Sequence, residues 1–238
     1  MKPFRFGVAI DATTREELIA RARQAEDFGY STLHAFDHIG SVMAPFTSLA
    51  IAAEATKTIR LGSLVFGNDF RHPAMLAWEA ATLDVLSGGR LELGLGTGYW
   101  KADYEQTGEA DIVSVNIKTT PDGGFDMHSL SAESAIEKVG WVRELLGERF
   151  SQTELNALII VVEITDNRLA FAQKIHDEWF GALSPQQILE SPSCLIGSVD
   201  QIVDDMMMRR ERYGFSYISI FGEHMQKFAP VVARLSGT

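Results

Sequence analysis

Leu83-Asp-Val-Leu-Ser-Gly-Gly-Arg-Leu-Glu-Leu-Gly-Leu-Gly-Thr-Gly-Tyr99 is the stretch whose reading decides the fold. Its first residues end a helix, Gly88-Gly89 stops it, Arg90 to Leu95 forms a short strand, and a glycine-rich exit follows. Gly94, Gly96 and Gly98 sit in and just after an otherwise apolar strand. Their missing side chains admit a close neighbour, which is either a packed segment of the chain or a ligand.

The same alternation runs back to the amino terminus. Arg5 to Ile10 reads as a strand, and Asp11-Ala-Thr-Thr-Arg-Glu-Glu offers caps for a helix carrying Leu18, Ala22, Ala25 and Phe28 at helical spacing. Gly29 closes that helix and Ser31 to Phe36 is the next strand. An Ala-rich helix spans about Pro45 to Thr58, a third strand Ile59 to Phe66, and a third helix Pro73 to Leu86 with Pro at its first turn. Strand and helix in this order build a parallel sheet.

Beyond Gly108 the pattern predicts a buried strand from Asp111 to Asn116, a loop from Lys118 to Ser129, and an amphipathic helix from Ser131 to Leu146. The strongly β-branched strand Leu158 to Thr165 follows, with helices at Asp166 to Phe180 and Ser184 to Leu189. Cys194-Leu-Ile-Gly is a short extended piece. Ser198-Val-Asp-Gln caps a helix reaching Tyr213, whose Met206-Met-Met-Arg-Arg-Glu-Arg run sets apolar positions inward and charges on a solvated face. Phe215 to Phe221 is the last strand and Met225 to Leu235 a closing helix. Seven core strands result, in one domain spanning residues 1–238.

Composition narrows the function classes. The 238 residues are 46% hydrophobic, enough for a full core. The single cysteine, Cys194, excludes a disulfide framework or a cysteine metal cluster, so a reducing cytoplasm is the expected location. Thirty-two acidic against 21 basic residues give a net charge of -11, which argues against nucleic acid and anionic membrane as partners. No apolar run approaches the ~18 residues of a membrane span. The start Met-Lys-Pro-Phe-Arg-Phe-Gly enters a strand directly and lacks the apolar core of a signal peptide.

Six segments then stop being generic: Phe36-Asp-His-Ile, Leu61 to Pro73, Thr82 to Gly98, Ala110-Asp-Ile-Val, Lys138-Val-Gly-Trp-Val-Arg and Leu195-Ile-Gly-Ser-Val-Asp-Gln-Ile. In this order they resemble the bacterial luciferase-like monooxygenase family, and within it the oxidoreductases dependent on the deazaflavin coenzyme F420. The resemblance implies an α/β fold of the TIM-barrel type with the cofactor at the carboxyl ends of the strands. Against the family pattern this chain is shortened. Thr107-Gly108-Glu109 directly joins flanks that the family separates by a helix, a fifth strand with a Gly-rich turn, and a second helix. One βα segment is therefore expected to be missing near 107–110. A seven-stranded barrel must narrow or leave an edge for a partner subunit, so a homodimer is expected by analogy with short flavin-binding relatives of luciferase.

The resemblance also implies a site. His38 would be the acid/base or cofactor-contacting group, with Asp37 positioning it or touching the ring. An imidazole suits proton transfer because its pKa lies near working pH. The plainer alternative is an Asp-His pair making turn hydrogen bonds. Leu64-Val65 falls where the family carries a bulge with a non-prolyl cis peptide behind the ring; the alternative is an ordinary trans strand. Gly96, Thr97 and Gly98 match one half of the family's phosphate cradle. The other half, a Gly-rich turn after the fifth strand, is absent here.

Arg71, in the polar loop with Asn68, Asp69 and His72, would contact a phosphate or carboxylate, or else form a surface ion pair. Tyr99 stands where some deazaflavin dehydrogenases place a catalytic glutamate, so that role does not carry over. Trp100 and Tyr104 would stack on a ring or pack. His34, His128, His176 and His224 show no metal-ligand spacing, and no metal is expected. Neither a Gly-x-Gly-x-x-Gly turn nor a Gly-x-Ser-x-Gly elbow is present.

The expected function is hydride transfer between F420, or alternatively FMN, and a small organic substrate. A non-catalytic or flavin-binding remnant that has lost turnover, and even its cofactor, is the alternative.

Overall fold

Strand β1 (Arg5–Ala9) is buried along almost its whole length, as its run of apolar residues requires. A computed structural model of the chain describes residues 2–37, 43–67, 71–96, 112–120 and 124–238. The region expected to carry the missing segment, 107–110, lies outside them. The chain divides into two compact units: Phe6–Glu109 with Phe221–Gln226, and Met1–Arg5 with Ala110–Ile220 and Lys227–Thr238.

In the first unit, β1 leads into helix α1 (Arg15–Asp27), whose start is fixed by Thr14. The Thr14 hydroxyl accepts the Glu17 N–H while the Glu17 carboxylate accepts the Thr13 N–H. Leu18, Ala22 and Ala25 face inward. Strand β2 (Thr32–Ala35) runs parallel to β1 with Val8 opposite Leu33. Helix α2 (Pro45–Ala55) ends three residues earlier than its Ala-rich pattern suggests. The turn after it is claimed by Glu26, whose carboxylate accepts the N–H groups of Lys57, Thr58 and Ile59. Burial raises the pKa of that carboxyl, but the three donors outweigh it and hold it down at about 2.

The third and fourth strands each break in two. Strand β3 (Arg60–Ser63), parallel to β2, is followed by β4 (Phe66–Gly67). The Leu64–Val65 peptide between them is cis, as the resemblance implies. Helix α3 (Pro73–Ser87) buries Leu76, Ala80 and Leu83, and Gly88 ends it in the left-handed conformation at φ 72°. Strands β5 (Leu91–Glu92) and β6 (Leu95–Gly96) then pair with β3 and β4 respectively. A Cβ on Gly94 would collide with the Ser63 carbonyl oxygen, and one on Gly96 would lie 2.6 Å from Val65 Cγ2. The close neighbour demanded by these two glycines is thus the bulged segment of the adjoining strand.

In the second unit, β7 (Ile112–Val115) is followed by a two-residue hairpin, β8 (Lys118–Thr119) with β9 (Phe125–Asp126), inside what the sequence reads as loop. Helix α4 (Ala132–Leu146) is capped by Ser131. The expected strand Leu158 to Thr165 starts earlier and breaks at Ile160, giving β10 (Glu154–Ile159) and β11 (Val161–Ile164). The cause is a partner distant in sequence: the N–H groups of Ile160 and Val161 both turn to the Ser193 carbonyl, at 2.8 and 3.2 Å.

Helices α5 (Arg168–Glu178) and α6 (Pro185–Glu190) cover β12 (Cys194–Gly197), which pairs in parallel with β11. The Cys194 piece is therefore a full, buried strand. Helix α7 (Val199–Tyr213) carries the Ser198/Gln201 capping box, and β13 (Phe215–Phe221) and α8 (Met225–Leu235) complete the chain.

Four parallel strands in the order β5-β3-β2-β1 and three in the order β13-β10-β7 account for the seven expected from the sequence. One expectation needs correction. β7 is half exposed, Ile112 most of all, because among the described residues it pairs on one side only, with β10. Among the described residues no helix is long and apolar enough to cross a membrane.

Candidate functional site

At the carboxyl end of β2 the chain continues through Phe36, whose ring stacks on Phe221 at 5.8 Å, to Asp37, which is buried. The bulge between β3 and β4 is lashed to this end at two points. The Leu64 N–H donates to the Ala35 carbonyl at 3.3 Å, and the Gly67 N–H donates to Asp37 Oδ2 at 2.9 Å. Arg71, at the foot of α3, completes a fork: Nη2 donates to Asp37 Oδ1 at 2.8 Å and Nη1 to Oδ2.

Beneath this pair Phe46 of α2 and Phe66 of β4 stack at 4.4 Å, and the Arg71 guanidinium lies 5.7 and 5.6 Å from their centroids. The hydrogen bonds it donates to the Asp37 carboxylate raise the Arg71 pKa above its ordinary value, against the opposing effect of burial. The partner of Arg71 is a carboxylate of the chain itself, and with only 20% of the side chain exposed the pair is no surface bridge.

The structure thus brings together Asp37, Arg71, Leu64, Val65 and Gly96. Leu64 and Val65 are half buried and offer apolar side chains at the strand ends, with Gly96 against Val65. His38, Thr97 and Gly98 lie outside the described residues, as do Asn68, Asp69, Tyr99, Trp100 and Tyr104. Further down β2, His34 is buried opposite Gly62. A cavity of about 20 Å³ between Leu33, His34, Phe36 and Leu49 has room for one water. That cavity is too small for a planar ligand of several rings. Among the described residues no group of three His, Cys, Asp or Glu side chains could hold a metal.

Two contributors escape a reading of the sequence. The Gly67 N–H is a backbone group, invisible to residue type, and the Phe46–Phe66 stack joins residues 20 positions apart that carry no motif.

The chain is similar in sequence and in fold to known proteins. Over 91 residues, 35% of this chain, it is 37% identical to the F420-dependent hydroxymycolic acid dehydrogenase of Mycobacterium tuberculosis, covering 25% of that protein. Over 62 residues, 26% of this chain, it is 42% identical to the oxygenase component of the flavin-dependent trigonelline monooxygenase of Acinetobacter baylyi, covering 17% of it. The matched parts therefore span a quarter or less of these curated relatives.

The coenzyme F420-dependent tetrahydromethanopterin reductase of Methanopyrus kandleri superposes with a TM-score of 0.70 over 98% of both chains, and at 16% identity that likeness shows the fold, the α/β luciferase-like barrel type, here shortened. Residues 1–188 match the family of luciferase-like monooxygenases, and with strand ends, bulge and Asp37 arranged as described, the chain belongs to that family.

Proposed function

We propose that this chain is an oxidoreductase that moves a hydride between a deazaflavin of the F420 type, or alternatively FMN, and a small organic substrate. The observation that carries the reading is the Asp37 carboxylate, fixed by Arg71 and the Gly67 N–H beside the half-buried Leu64 and Val65 at the strand ends. A flat tricyclic ring with a polar edge needs such a surface: apolar atoms for its face and a fixed polar group for its rim. The residues present fit that part of the group. Leu64 and Val65 would lie against the ring, Asp37 at its edge, and Gly96, Thr97 and Gly98 toward the phosphate. When bound, the cofactor supplies the two-electron carrier.

The chain's own residues do the rest. Arg71 keeps the Asp37 carboxylate in one rotamer, and this fixes the backbone from which His38 follows. His38 takes or returns the proton that accompanies hydride transfer. A single, buried cysteine suits a cytoplasmic setting.

Titration of the purified protein with F420 and with FMN, followed by absorbance and fluorescence, tests the reading. Saturable micromolar binding of one of them, and its reduction or reoxidation with substrate, is expected. Absence of binding by both at high micromolar concentration overturns it. Binding without any turnover would favour a flavin-binding remnant, a reading supported by Arg71 being committed to Asp37 instead of a phosphate.

A further inference from the structure

The run Met206-Met-Met-Arg-Arg-Glu-Arg on α7 takes no part in the proposed reaction. Its pattern suggests charges on a solvated face, yet Arg209 and Arg210 are only 8% and 7% exposed. Main-chain oxygens draw both guanidinium groups inward. Arg209 donates to the carbonyls of Cys194 and Leu189. Arg210 Nη1 donates to the main-chain oxygens of Thr238 at 2.8 Å and Lys2 at 3.4 Å, and the group lies 4.1 Å from the Phe4 ring centroid. Arg210 thereby ties the segment entering β1 to the one leaving α8.

The other edge of the Arg210 guanidinium is poorly served. Nη2 donates to Met207 Sδ at 3.2 Å, three residues back on the helix. Nε, on the same edge, is buried and has no acceptor among the described residues. A thioether sulfur is a weak acceptor, so a charged edge of two donors faces one poor partner. The three methionines also differ in access: Met206 is 2% exposed, Met207 36% and Met208 58%.

We propose that Met207 is an oxidative modification site and that Arg210 holds the oxygen it gains. The oxidant is hydrogen peroxide. A lone pair of Met207 Sδ attacks one peroxide oxygen, the O–O bond breaks, and the proton on the transferred oxygen passes to the departing hydroxide. The thioether is oxidised by two electrons to the sulfoxide and the peroxide is reduced to water. Rotation of the flexible Met207 side chain seats the new oxygen on the Nε–Nη2 edge. Methionine oxidation ordinarily loosens a fold by placing a polar group in an apolar setting. Here it supplies the acceptor that buried Nε lacks, and the Arg210 tie tightens. The inference is independent of the proposed redox reaction.

Peroxide treatment of the full chain carrying Met208→Leu, mapped by peptide mass spectrometry, is the test. Met207 gains one oxygen and Met206 none. After digestion, one of the two stereospecific methionine sulfoxide reductases removes most of the Met207 sulfoxide and the other little, because Arg210 selects one epimer. Met208 of the wild type yields both. Met207→Leu/Met208→Leu, oxidised in parallel, cancels the effect of other methionines. Relative to it, oxidation raises the melting temperature of the Met207 chain by about 2–4 °C, and Arg210→Lys abolishes the rise. Exchange of the isotope-labelled Arg210 Nε–H with water slows several-fold on oxidation, a readout that needs no change at Arg210. Met207 left unmodified while Met208 of the wild type is fully oxidised, equal epimers at Met207, a fall in melting temperature, a rise that survives Arg210→Lys, or an unchanged Nε–H exchange rate overturns the proposal.

Discussion

Replacing Arg71 by methionine removes the fork on Asp37 while keeping an unbranched apolar stem over Phe46 and Phe66. Asp37 has 6% of its side chain exposed, so its carboxylate would lose its cation in a place that water barely reaches, with the Gly67 N–H still in position. Breaking one side of a buried ion pair costs about 3–5 kcal/mol. Arg71 itself is one-fifth exposed, and solvent entering through its position reduces the loss to about 2–3 kcal/mol. For a chain of this length that lowers the melting temperature by roughly 5–10 °C.

Urea unfolding with an unchanged slope is the assay. Asp37→Asn, which keeps the size and one acceptor, costs less. The double substitution costs less than the two singles together, by at least about 1.5 kcal/mol of coupling. Arg71→Met within about 0.5 kcal/mol of wild type, or strict additivity in the cycle, would refute the claim that this pair holds the site together.

Further outcomes follow from the same geometry. Glu26 titrates near 2 in the folded chain against an ordinary 4.5, so its contribution is complete above about pH 4.5 and is lost as the pH falls through 2; Glu26→Gln costs about 2 kcal/mol at pH 7 and almost nothing near pH 2, read by denaturation at both pH values. Gly94→Ala forces a Cβ onto the Ser63 carbonyl and lowers stability by about 2–3 kcal/mol, whereas Gly140→Ala, mid-helix in α4 with open space around it, raises stability by about 0.5–1 kcal/mol. Burial pushes the Cys194 thiol up to about 11, so it stays unreactive toward a thiol reagent at pH 8 until the chain unfolds, and a fast native reaction would contradict its placement in β12.

Periodicity and caps carry most of the fold. Ser198 with Gln201, Ser131, Pro73 and Gly88 each stop or start a helix within a residue of where the sequence puts the boundary, because a cap is a local interaction. Misplaced features are those decided by distant partners. The β7 strand reads as buried from its Ile and Val residues, yet its exposure depends on how many strands lie beside it. The break at Ile160 depends on the Ser193 carbonyl, 33 residues further on.

The site divides in the same way. Asp37 is legible because a strand end is local, but its union with Arg71 spans 34 positions and leaves no pattern in the chain.

The glycines after β5 show how far a motif can be read as chemistry. Gly96 invites interpretation as part of a phosphate cradle, yet the Ser63 carbonyl and the Val65 side chain are sufficient reason for glycine at positions 94 and 96. Any larger residue there would push β6 off β4 and pull the bulge away from the end of β2, where Leu64 and Gly67 are tied to Ala35 and Asp37. The two glycines thus act on the Asp37 carboxylate through the neighbouring strand, without a ligand having to touch them. Under the proposed function, it follows that Gly94→Ala disturbs binding of the cofactor even if no phosphate ever comes near it, and that its effect tracks the loss of the Asp37–Gly67 hydrogen bond. A structure of that variant with β4, β6 and Asp37 unmoved would break this chain of cause.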